Sequence, residues 1–174
     1  MKDENYEAFD DGARVEGGIR TAVEAWCAHR DAAKDQYGPI ASWNTTEITN
    51  MQELFYGNAG FNEDISRWDV SNVTTLEFAF CSATSFDGNL SRWDVSSVTD
   101  LRWTFYGATS FNGDLSRWDV RQVTDMYRCF FEATSFNQQL GGSWAQSTAD
   151  KTTMFYGSPG SIEGKTKNAN GTPV

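Results

Sequence analysis

The sequence predicts an α/β repeat solenoid, with short parallel strands on one face, short helices on the other and an amphipathic cap helix at its start. Three observations lead there. The stretch Phe61-Asn-Glu-Asp-Ile-Ser-Arg-Trp-Asp-Val-Ser-Asn-Val-Thr74 returns almost unchanged from Phe86 and Phe111 and begins again at Phe136, a period of 25 residues. A period of that length means stacked units that bury their apolar columns on one another. Within each unit the apolar positions alternate around Trp and Val, as on a half-buried strand, and then fall three and four apart, as on a helix. Ahead of the units, Ile19, Ala22, Val23 and Trp26 follow one helical face.

Taken in order, residues 1–39 are an N-terminal tail and the cap helix. Residues 1–17 are acidic and expected to be only partly ordered. The helix runs from about Ile19 to Lys34 and stops at Tyr37-Gly38-Pro39, where Gly suits a helix terminus and Pro cannot continue it. Residues 40–157 form five coils of 25 residues. Coil one is irregular, with Ala41-Ser42-Trp43-Asn44-Thr45-Thr46 in place of the later Ser-Arg-Trp-Asp-Val-Ser. Coils two to four begin at Ile65, Leu90 and Leu115 and turn from strand to helix at Thr74, Thr99 and Thr124, where Thr suits a helix cap. Gly88 and Gly113 mark the returning loop as a tight turn. Coil five is degenerate: Trp144 arrives one place late, Gln146 stands for Val, and Lys151 takes an apolar column. Residues 158–174, rich in Gly, Lys, Asn and Thr, read as a flexible tail.

The columns Trp43, Trp68, Trp93, Trp118 and Phe55, Phe80, Phe105, Phe130, Phe155 are assigned to the core, the tryptophans as a structural ladder. Residues between the buried ones point outward together. They are Arg67, Asp69, Ser71; Arg92, Asp94, Ser96; and Arg117, Asp119, Arg121. An Arg column beside an Asp column makes a charge-compensated ribbon of roughly 25 Å, long enough for a peptide or loop. Planar guanidinium donors and carboxylate acceptors suit recognition, so these nine residues are the candidate binding site.

Acids outnumber bases 24 to 14, for a net charge of −10, which disfavours nucleic acid and anionic membranes as partners. No apolar run approaches a membrane span, and Met1-Lys-Asp-Glu-Asn lacks a signal peptide's apolar core. Cys27, Cys81 and Cys129 show neither zinc spacing nor a disulfide framework, and Cys81 and Cys129 read as small buried hydrophobes. The oxygen-rich loops at Asn62-Glu63-Asp64, Asp87-Gly88-Asn89 and Asn112-Gly113-Asp114 suggest turns rather than a calcium loop. No catalytic residue, metal site or cofactor is expected. The expected function is a non-enzymatic module for a protein or glycan partner; a structural spacer repeat comes second. A carbohydrate-active enzyme built on Asp69 and Asp94 comes third.

The unit Phe111-Asn-Gly-Asp-Leu-Ser-Arg-Trp-Asp-Val, continuing through Val123-Thr-Asp-Met126, Phe130 and Ala133-Thr-Ser-Phe136, resembles the BspA-like repeat of bacterial and mycoplasma surface proteins, also seen in microbial eukaryotes and algae. Ala22-Val-x-x-Trp26 with Tyr37-Gly38-x-Ile40 is similar to the helical cap before such repeats. The resemblance spans roughly residues 19 to 157. It implies a leucine-rich-repeat-like solenoid with Trp and Val where that class has leucines, an adhesion or interaction role at the cell surface, and no enzymatic activity. The chain departs from that pattern in having few repeats and no visible lipobox or anchor.

Overall fold

The computed structural model describes residues 18–174; the expectation for residues 1–17 lies outside them. Helix α1 (Ile19–Ala28) and helix α2 (Arg30–Tyr37) replace the single expected helix. They part at His29, whose backbone leaves helical geometry at φ −147° and ψ 73°. Ile19, Ala22, Val23 and Trp26 are buried, and the Trp26 ring meets Trp43 edge-on at 5.7 Å, covering the first coil. Arg20 reaches across to the Gln52 carbonyl and to Asn50 Oδ1. Gly38 ends α2 at φ 76°, where a glycine pays no steric penalty.

The expected α/β, leucine-rich-repeat-like solenoid of alternating strands and helices is not what the chain forms. Among the described residues the only strands are β1 (Gln139–Leu140) and β2 (Ser161–Ile162), paired in parallel. The only helix beyond α2 longer than a single 3-10 turn is α3 (Ser143–Gln146). The repeats instead run as successive β-turns. In the second coil, Trp68 donates its amide to Ile65, Val73 to Val70, Ala79 to Leu76, Cys81 to Phe78, Ala83 to Phe80 and Phe86 to Ala83. The segment read as a strand is thus two turns, and the segment read as a helix is a run of three.

The reason lies in the left-handed residues. Phe78 and Ser82 sit at φ 54° and 58°, and their column neighbours Glu53, Trp103, Arg128, Thr153, Gly57, Gly107, Glu132 and Gly157 share that conformation. A left-handed residue every fourth position breaks the helix and swings alternate amides sideways. So Leu76, Phe78, Phe80 and Ser82 donate to the carbonyls of Asp100, Arg102, Thr104 and Tyr106 in the next coil, while the amides between them close turns. Apolar spacings of three and four arise from such turns as readily as from a helix, which is why the pattern misleads. Parallel β-bridges link Asn50, Thr75, Asp100, Asp125 and Asp150 down the same edge.

Side chains finish the stacking where the backbone does not. Trp68, Trp93, Trp118 and Trp144 donate Nε1 to the carbonyls of Ile40, Ile65, Leu90 and Leu115, at 2.8 to 3.1 Å, each one coil back. Thr74, Thr99 and Thr124 cap no helix; amide and hydroxyl both donate to the Thr carbonyl of the preceding coil. The amides of Asp87, Asn112 and Asn137 donate to Asn62, Asp87 and Asn112 side chains, so the oxygen-rich rim is a further ladder. Gly88 and Gly113 are glycine for space rather than for an unusual φ: a Cβ on Gly88 would lie 2.6 Å from the Phe86 ring. Between these ladders the rings stack, with Phe80 and Phe105 at 5.4 Å and Phe86 and Phe111 at 5.8 Å. Cys81 and Cys129 are buried, as expected, and Cys27 is exposed.

At the far end, α3 absorbs the extra residue of coil five and returns Trp144 to the core. Residues 158–174, expected as a flexible tail, are placed against that coil. Ile162 is buried, Phe155 donates its amide to Gly171, and Thr153 donates to Thr172 Oγ1 at 2.8 Å.

Two substitutions check this architecture. Trp93→Phe keeps an aromatic ring but strands the Ile65 carbonyl, so chemical denaturation should show a loss of about 1–3 kcal/mol. Glu132→Gly removes a side chain from a left-handed position that its column fills with Gly57, Gly107 and Gly157; the same measurement should show a gain of about 1 kcal/mol.

Candidate interaction surfaces

The nine residues Arg67, Asp69, Ser71, Arg92, Asp94, Ser96, Arg117, Asp119 and Arg121 do lie on the surface, on one side of the coils. Their turns dictate what they present. Asp69 Oδ1 accepts from the Ser71 amide at 3.0 Å and hydroxyl at 2.7 Å. Asp94 Oδ1 accepts from the Ser96 amide at 3.0 Å. Asp119 accepts from the Arg121 amide at 3.2 Å and pairs with the Arg121 guanidinium. These are Asx turns, in which a short carboxylate satisfies the amide two residues on. Asp64, Asn89 and Asp114 do the same for Ser66, Ser91 and Ser116.

Direct hydrogen-bonded pairing between the Arg67, Arg92 and Arg117 column and the Asp column therefore does not form. Among the described residues the guanidinium groups of Arg67, Arg92 and Arg117 make no hydrogen bond or ion pair, and all three are exposed. One side of an acidic protein thus carries three arginines without a direct ion pair, one per coil, with the Asp64 and Asp114 carboxylates close enough to Arg67 and Arg117 to feel their charge.

The outer side of the turn ladder is different, and sequence reasoning passed over it because these positions were read as the outside of short helices. Here the coils do not repeat one another. Arg102 is ringed by carboxylates, with Nη2 2.9 Å from Glu77 and 2.8 Å from Asp100, and Nε 3.8 Å from Asp125. Its proton is held more tightly than usual by the Asp100 hydrogen bonds, while burial raises the Glu77 carboxyl. One coil on, Arg128 has no such partners and lies over the rings of Trp103, Tyr127 and Phe131 at 5.3, 5.0 and 4.9 Å. Tyr106, Phe131 and Tyr156 stack beside it at 4.9 and 4.8 Å. The signal in the sequence was the column Tyr56, Cys81, Tyr106, Phe131, Tyr156, aromatic at four of its five places yet outside the core pattern.

Other chemistry is sparse. Among the described residues no group of three or more His, Cys, Asp or Glu side chains is placed to hold a metal ion. No described helix is long and apolar enough to cross a membrane. The Asp69 carboxyl is held below its ordinary range by the Ser71 hydroxyl and amide, the direction opposite to that of a general acid.

The lowered carboxylates make stability depend on pH. Asp69 is held down by Ser71, Asp64 by Ser66, Asp114 by the Ser116 amide and hydroxyl, and Asp119 by the Arg121 guanidinium. A carboxyl whose folded pKa is depressed stabilises the fold above its unfolded value, near ~3.9, and that contribution is lost as pH falls through the lower folded value. The urea midpoint should therefore drop as pH is taken below about 4. Asp64→Asn, Asp69→Asn, Asp114→Asn and Asp119→Asn combined keep the turn acceptors and should flatten that drop.

Residues 27–144, more than half of the chain, match the family model described as "Mycoplasma protein of unknown function, DUF285". No curated protein and no solved structure matches the chain. The match runs from the end of α1 to Trp144, through every regular coil, the nine strip residues and Arg128, and the chain belongs to the DUF285 family.

Proposed function

We propose that the chain is a non-enzymatic interaction module, an adhesin-like member of BspA-type repeat proteins at a cell surface, which recognises an acidic protein or glycan partner. The observation that supports this reading is the column Arg67, Arg92, Arg117, exposed and unpaired while the carboxylates beside it are engaged by their own turns. Exposed like charges repeated from coil to coil repel one another and favour a partner of opposite charge. An anionic partner answers them, and the planar guanidinium matches carboxylate or sulfate in a two-pronged contact.

A second reading, a structural spacer within a larger assembly, draws on the Asx turns: the Asp and Ser of the same strip serve the coil itself. Arg67→Glu, Arg92→Glu and Arg117→Glu combined decide between the two. In capture from host or neighbouring-cell surface extract, the interaction module should lose its partner with an unchanged circular dichroism spectrum, and native binding should weaken as salt rises. Equal capture by both chains would sink the strip and leave the spacer.

A further inference from the structure

We propose that the outer side of the turn ladder around Arg128 is a second interaction surface, which takes a protein partner presenting an Asp or Glu carboxylate within an apolar contact. It is separate from the Arg67, Arg92, Arg117 strip and does not depend on it.

The guanidinium carries the argument. Arg128 Nε is buried and has no hydrogen-bond partner, and the rest of the group has none among the described residues. Three rings hold its plane, which satisfies the charge in part but leaves the hydrogen-bonding edge of the fork unanswered. The nearby carboxylates are engaged elsewhere. Asp125 Oδ1 accepts from the Tyr127 amide at 2.8 Å and its Oδ2 faces Arg102, while Asp150 Oδ1 accepts from the Thr152 amide and hydroxyl. An incoming carboxylate is the group that answers the two terminal nitrogens, Nη1 and Nη2, since two parallel N–H donors meet two oxygens; the buried Nε holds no place for it.

The surroundings favour a protein over a sugar. Tyr106, Phe131 and Tyr156 stack face on face with interplanar angles of 8° and 20°, and Trp103 has Phe78, Tyr106 and Tyr127 around it. The inner faces of this stack are taken up by one another, and Tyr156 closes its exposed end. Trp, Tyr and Arg gathered in one partly exposed patch are the residue types that dominate protein interfaces, where rigid aromatic area costs little entropy on binding. The coils diverge here as they do at 71, 96 and 121, which read Ser, Ser and Arg. Outward positions 78, 103 and 128 read Phe, Trp, Arg, whereas 67, 92 and 117 all read Arg. A position that stacking alone governed would repeat, and a left-handed position would favour Gly; bulky residues stand there instead.

The test is selection of a displayed library of random short peptides on the full chain, followed by affinity measurement against variants. Peptides that share a carboxylate beside an apolar residue should emerge. They should bind Arg128→Ala roughly tenfold or more weakly, bind Arg128→Lys with a smaller loss since Lys keeps charge without the fork, and bind the triple strip variant unchanged. Near-ultraviolet circular dichroism of each variant confirms that the aromatic stacks persist. The proposal is overturned if no peptide is enriched, if the enriched peptides lack a carboxylate, or if Arg128→Ala binds them equally. Tighter binding of an oligoglucuronate than of any peptide would assign the surface to an acidic glycan and equally overturn it.

Discussion

The hydrogen bond from each indole to the carbonyl one coil back carries more of this structure than any other single contact. Elsewhere neighbouring coils are joined by backbone amides: along the turn ladder, at the Thr column and at the turn where Ser85 bonds to Ala59. Between Phe61 and Val73 no amide of the second coil donates to a neighbouring coil's backbone. There the Trp Nε1 does that work, from a side chain almost wholly buried. A phenylalanine would fill much of the same space and leave a buried carbonyl unpaired, so tryptophan, not merely an aromatic, is required at 68, 93, 118 and 144.

With the coils held by their side chains on one edge and by alternate amides on the other, the core becomes a set of ring stacks at a common spacing. Those stacks tolerate an irregular coil at either end. Thr45 takes the place of the column Val and spends its hydroxyl on the Asp69 carbonyl at 2.9 Å. In coil five, Lys151 occupies an apolar column yet aims Nζ at the Ser147 and Ala149 carbonyls. Both ends exchange apolar burial for hydrogen bonds because half of their neighbours are missing, and the helices at one end and residues 158–174 at the other cover what is left.

The two outward surfaces follow from this arrangement by opposite routes. The Arg, Asp and Ser strip recurs because its Asx turns build the coil, which leaves Arg67, Arg92 and Arg117 without a hydrogen bond while Arg121 pairs with Asp119. Around Arg128 backbone amides join one coil to the next, so the side chains at 78, 103 and 128 are not held to one identity by hydrogen bonding and differ from coil to coil while packing on one another. Strip residues were legible in the sequence since alternation about Trp and Val points them outward under turns as under a strand. Their pairing was not legible, because whether Asp69 answers Arg67 or the Ser71 amide is a matter of angstroms. The Arg128 surface escaped notice since a short amphipathic helix would have turned the same residues to solvent without aligning them.

Taken alone, the sequence determined the 25-residue period, the identity of the buried columns and the outward positions of the strip, because these depend only on which residues recur and how apolar they are. It did not decide the local backbone. Spacings of three and four fit a helical turn and a run of β-turns equally, and intrinsic preference argues against Phe78, Trp103 and Arg128 in the left-handed region. Only the tertiary structure decides for the turns. Within one coil a helix would satisfy its own amides, whereas a stack rewards the conformation that offers every second amide to its neighbour, and that reward exists only once the neighbour is in place.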